Sequence, residues 1–188
     1  TGGVAGNARL TGAVAVALLV LLAAEGVTIP FIGPLLGPHM FIGLLLIPPV
    51  ALKLASTGYR FARYYTHDEP YVRKGPPPLA LRVLAPGVVL TTVAVFGTGV
   101  ALLFAGPPSS TLIFAHKASF IAWIALMALH VLGHLLELPH LASADWRRLA
   151  LIEARLAGAG MRASAVAIAI VAGFALGFLA LSVGKPWL

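Results

Sequence analysis

The chain has 188 residues, of which 60% are hydrophobic and only 10% charged, with a mean hydropathy of +0.97. Soluble domains carry about a quarter charged residues, so a soluble globular class is excluded in favour of an integral membrane protein. Cysteine is absent, which removes disulfides, thiolate metal sites and cysteine-held iron–sulfur clusters.

In chain order, five apolar runs are long enough to cross a hydrocarbon core, which takes roughly 20 helical residues: 10–29, 39–57, 83–104, 112–136 and 163–183. The stretch before the first run, TGGVAGNARLTG, lacks the charged start and the cleavage site of a secretory signal. That run is therefore expected to be a retained span. The whole chain is read as one all-α transmembrane domain: a four-helix bundle with a fifth, peripheral helix.

The connections alternate in character. Segments 29–38 and 105–110 are uncharged and rich in Gly and Pro, whereas 58–82 carries Arg60, Arg63, Arg73, Lys74 and Arg82. The segment 137–162 carries Arg147, Arg148, Arg155 and Arg162. With Arg9 and Lys53 on the same side, only Lys117 and Lys185 fall on the other. The positive-inside rule then places the N-terminus and both basic loops in the cytoplasm of a bacterial plasma membrane, with the C-terminus outside. The net charge of +7 thus reads as topology, with anionic lipid contact secondary and nucleic acid disfavoured.

Both basic loops hold more than a link. Residues 60–78 mix Tyr, Arg, acids and a Pro run, which predicts an ordered segment. Residues 142–156 begin with a Ser/Asp cap signal and set Trp146, Leu149 and Ile152 opposite Arg148 and Arg155, which predicts an interfacial amphipathic helix. Within the spans, Pro48 and Pro49 predict a kink. Gly97, Gly99 and Gly133 remove bulk where a flat group could approach. Gly173 and Gly177, spaced as small-x-x-x-small, suggest helix packing or an oligomer contact.

Histidine carries the chemistry. His116, His130 and His134 lie along one face of the fourth span, because His116 to His134 is about five whole turns and His130 falls only about 40° off that line. His39 opens the second span, at the same depth as His116 on a helix running in the same direction. His130 and His134 lie about 21 and 27 Å deeper than His116. Histidine within a bilayer is costly and usually functional. Facing imidazoles on two helices, with glycines nearby, suit axial ligation of haem b. Paired imidazoles one turn apart, as at His130 and His134, equally suit zinc or copper, which keeps a metal or proton transporter as an alternative. A membrane anchor holding peripheral subunits is the third reading. Glu25 is read as an interfacial carboxylate or a proton or cation site, and His67 and His140 as loop residues.

The pattern His39-x-x-x-Gly43 opening one span and His116-x13-His130 running down another resembles the integral b-type cytochromes. These serve as membrane subunits of bacterial hydrogenases, formate dehydrogenases and related respiratory enzymes. The resemblance covers about 39–136. It implies an electron-transfer subunit working between quinone and partner redox subunits, with His39 and His116 as an outer axial pair and His130 as an inner ligand. Haem b, in one or two copies, is the implied cofactor, and quinone a further ligand. Fourteen residues after His39, where the family pattern has a second inner histidine, this sequence has Lys53. The inner position is thus open to Lys53 ligation, to His67 folding back, to five-coordinate haem or to no haem. His134 could replace His130, or contact a propionate or quinone. This departure favours one haem over two.

Overall fold

The computed structural model describes residues 3–107, 109–135 and 158–188. The expected amphipathic helix at 142–156, His140, and Arg147, Arg148 and Arg155 lie outside the described residues, as does the last residue of the fourth span.

The structure is all-α. Its elements are α1 (Gly3–Thr28), α2 (Leu36–Tyr65), the short α3 (Glu69–Lys74), α4 (Leu79–Ala105), α5 (Ser110–Leu135) and α6 (Ala159–Val183), followed by a 3-10 turn at Lys185–Trp187. Five of these helices are long and apolar enough to cross a membrane. Large side chains such as Val16, Leu90, Ile121 and Phe178 point outward on four of them, as a lipid environment requires. Proline and glycine set the ends. Pro30 and Pro34 follow α1, and Gly106 ends α4 at φ 75°, with its N–H bonded to the Leu102 carbonyl at 3.2 Å.

The helix α2 is longer than its apolar run. At 30 residues it measures about 45 Å, well beyond a 30 Å hydrocarbon core. Its last turns bring Tyr59, Phe61, Tyr64 and Tyr65 to the level expected of an interfacial aromatic belt, among Arg60 and Arg63. The ordered segment expected after it is present. Asp68 caps α3 and pairs with Arg63, and Tyr71 is buried with its ring 6.0 Å from that of Tyr59. Burial foremost, with Tyr59 next, pushes the Tyr71 hydroxyl above the ordinary tyrosine range, and Arg63 opposes the shift.

Packing divides the bundle into two groups. α2 lies between α1 and α6, while α4 and α5 form a pair of their own, and few residues join the groups through α2 and α4. The expected four-helix bundle is thus split, with α2 as the hub. Val14, Leu18 and Leu46 are the buried centre, flanked by Phe96 of α4 and Val166 of α6.

α2 stays helical through Pro48 and Pro49. Because proline has no N–H, the Leu44 and Leu45 carbonyls lose their usual donors four residues on. Gly173 of α6 sits directly on the Leu45 carbonyl, where a β-carbon would collide with backbone. Gly177 sits on Phe41, leaving no more than 2.9 Å between a β-carbon there and the Phe41 ring or carbonyl. The Phe41 ring in turn packs edge-on to Phe174 and Phe178 at 5.9 and 5.2 Å. Of the two uses expected of the glycine pair, helix packing is the one seen: it seats α6 on α2 of the same chain.

Candidate functional site

The end of α1, the start of α2, the end of α4 and the start of α5 meet at the end of the bundle that carries the uncharged loops. Glu25 and Thr28 are one turn apart on α1, so both face the same neighbour. That neighbour is His39. Its Nδ1 lies 2.9 Å from Glu25 Oε1 and 3.0 Å from Thr28 Oγ1. Thr28 has one hydroxyl proton, and it is given to the Glu25 carbonyl at 2.6 Å. Thr28 Oγ1 can then only accept, so the hydrogen-bond network assigns the His39 proton to Nδ1. In the neutral ring Nε2 then carries the lone pair.

The same device recurs on the other helix pair. Thr98 of α4 gives its proton to the Ala94 carbonyl at 2.7 Å and lies 3.0 Å from His116 Nδ1. By the same accounting His116 carries a proton on Nδ1, and in the neutral ring the lone pair is then on Nε2. Ser119 supports Thr98 at 3.3 Å and donates to the His116 carbonyl at 2.9 Å.

The two imidazole centres are 6.3 Å apart with their planes at 78°. Two rings that ligate one metal ion from opposite sides, each nitrogen about 2 Å away, have centres roughly 6 Å apart. The helices that carry them, α2 and α5, are not packed on each other. The rings approach across space the backbone leaves open. That space is a cavity of about 410 Å³, within the range of small-molecule and cofactor sites. Its wall is almost wholly apolar, and Glu25 and Lys117 are its charged members. Gly99 faces it, and a β-carbon there would stand 3.2 Å from His116 Cε1. Trp187 of the terminal turn also lines the cavity, with its indole N–H bonded to the Leu102 carbonyl at 3.2 Å.

The opposite half of the bundle is arranged differently. His130 and His134 have ring centres 4.7 Å apart, and His130 Nδ1 is buried without a hydrogen bond among the described residues. His134 is exposed. Lys53 donates to the Thr11 carbonyl at 2.9 Å, and with Asn7, Thr11 and Ser56 it forms a polar tie between α1 and α2. His67 sits exposed in the loop at φ 60° and does not fold back into the bundle. Gly97 faces a separate apolar groove between α2 and α4, lined by Ile47, Val50, Leu54 and Phe96 among others. Gly133 is filled by Leu81, whose tip would lie 2.8 Å from a β-carbon there. Arg63 pairs with Asp68, Arg60 donates to the Gly75 carbonyl at 3.3 Å and Arg82 to the Tyr65 hydroxyl at 2.9 Å.

The structure therefore brings together His39, His116 and Gly99. It sets His130 beside His134, and holds Lys53 on Thr11. Sequence reasoning missed Thr28, Thr98 and Trp187, and it left Glu25 without a partner. Its one available signal was register: Glu25, Thr28 and His39 all lie within a helix turn or two of the same uncharged loop. Among the described residues, no three His, Asp or Glu side chains gather as a bare-ion site. What the fold and site define is an all-α bundle of five membrane-length helices with two Nδ1-anchored histidines facing one apolar cavity. The chain matches no protein-family profile, no curated protein and no solved structure.

Proposed function

We propose that this chain is a membrane electron-transfer subunit that binds haem b between His39 and His116, in the manner of the integral b-type cytochromes. One observation carries the reading: two imidazoles on helices that are not packed on each other, their centres 6.3 Å apart and each held through Nδ1, line one apolar cavity. The residues fit the group. Thr28 and Thr98 fix the ring orientation and tautomer, the second partner that metal-binding histidines ordinarily need. Gly99 leaves room beside His116, and the apolar wall excludes water. When bound, haem supplies a one-electron iron couple within the bilayer. Quinone and a partner redox subunit are the proposed exchange partners. The basic end, with Arg60, Arg63, Arg73, Lys74 and Arg82, is proposed to face the cytoplasm of a bacterial plasma membrane.

The test is a reduced-minus-oxidised spectrum of the purified protein, with haem quantified as the pyridine haemochrome. One haem per chain is expected. A protein expressed with ample haem that shows no Soret band and no reduced α-band overturns the reading.

A second site is favoured by one observation only, the buried and unpartnered His130 Nδ1 beside His134. It is the place for an inner haem or for a zinc or copper ion of transporter type. Metal analysis separates these: a second iron with porphyrin supports the former, and stoichiometric zinc or copper the latter.

A further inference from the structure

The two histidines facing the cavity are held alike in geometry and unlike in charge. His116 Nδ1–H is held by a neutral hydroxyl, Thr98 Oγ1 at 3.0 Å. His39 Nδ1–H is shared between a neutral hydroxyl, Thr28 Oγ1 at 3.0 Å, and a carboxylate oxygen, Glu25 Oε1 at 2.9 Å. The other oxygen, Glu25 Oε2, is buried and has no hydrogen-bond partner among the described residues. A carboxylate with one free oxygen directs its acceptor strength at the single N–H it does bind. Gly43 lies beside this pair, where a β-carbon would be in ordinary van der Waals contact with Glu25 Oε1 at 3.5 Å. Lys117 is the other charged group on the cavity wall, and it follows His116 on α5 rather than standing beside Glu25.

We propose that Glu25 is a positioning and charge-donating residue for His39, which would make His39 the stronger of the two ligands and would lower the reduction potential of a bound haem. The inference rests on the haem reading above. Its physical basis is that an acceptor on the remote N–H of an imidazole makes the metal-facing nitrogen more basic, and a carboxylate does so more than a hydroxyl. A more basic ligand, with a negative charge nearby in a poorly polarisable wall, favours ferric over ferrous iron. Thr28 contributes the tautomer without the charge.

The experiment is potentiometric titration of the α-band in the full chain, comparing wild type, Glu25→Gln, Thr98→Val and Thr28→Val. Glu25→Gln retains an acceptor for Nδ1–H but loses the charge, so it is expected to keep its haem and titrate at a higher potential than wild type. Thr98→Val and Thr28→Val, which remove neutral acceptors, are expected to shift the potential less. An unchanged potential in Glu25→Gln overturns the proposal, as does an equal or larger upward shift in either threonine variant. Should Glu25→Gln fail to fold, ¹⁵N NMR of histidine-labelled Thr28→Val apoprotein tests the positioning role, because the Glu25 carboxylate is then the acceptor left to hold the His39 proton. A His39 proton on Nδ1 is expected there, and one on Nε2 overturns the proposal. A wild-type chain that takes up no haem overturns the parent reading, a result distinct from haem bound at an insensitive potential.

Discussion

The two ends of α5 carry the same residue in the same kind of helix and offer different sites. At the uncharged-loop end, His116 meets a threonine on α4, a second histidine across an unfilled gap and an apolar cavity. At the basic end, His130 meets His134 of its own helix, and its Nδ1 has no partner among the described residues. Lys53, fourteen residues after His39 on α2, is committed to the Thr11 carbonyl. A histidine becomes a ligand through what holds its far nitrogen and what faces its near one, and the difference between the ends lies in those neighbours.

That contrast can be broken outright. His39→Ala or His116→Ala is expected to abolish haem binding, whereas His130→Ala and His134→Ala leave one haem per chain, all read as the pyridine haemochrome. Loss of haem in His130→Ala with retention in His39→Ala would reverse the assignment of the ends. A milder change tests the supporting threonine. Thr98→Val is expected to weaken haem retention about 10- to 100-fold, the usual cost of removing a partner of a metal-binding histidine. Transfer of haem to an apo-globin acceptor measures it. Lys53→Met is expected to leave that retention at wild type.

Stability supplies a smaller effect and an internal control. Gly173→Ala drives a methyl into the Leu45 carbonyl and should cost about 1–3 kcal/mol, as overpacking does. Gly160→Ala on the same helix meets open space and should be neutral or stabilising by up to about 1 kcal/mol. Thermal unfolding in detergent compares them. The smallest effect concerns the loop under the basic end. Tyr71 ionises at higher pH folded than unfolded, so its contribution is intact below the ordinary tyrosine pKa of about 10. As pH rises through that value the unfolded chain loses its proton first, and stability falls. Wild type minus Tyr71→Phe should therefore be flat below about pH 9 and decline above it.

The spans were legible because lipid-facing positions admit few residue types, so long apolar runs have one reading. Pairing of His39 with His116 was legible from depth alone, since both open spans at the same end. Rotation about the helix axis was not. Gly97 and Gly99 differ by two residues, about 200° around α4, and they face different cavities. Thr28 and Thr98 were silent for a related reason. A threonine in an apolar helix normally bonds its own backbone, as both do here, and only the neighbouring helix reveals its second bond. Trp187 lay beyond the last apolar run, where nothing in the residue order connects it to α4.

The contact of Gly173 in α6 with the Leu45 carbonyl of α2 bears on the order of synthesis. α2 enters the bilayer more than a hundred residues before α6 exists, with the Leu45 carbonyl already stripped of its helical donor by Pro49. A bare carbonyl against lipid costs several kcal/mol, so the second helix waits in a state its own sequence cannot complete. The last helix is thus the cover for a gap opened early in translation.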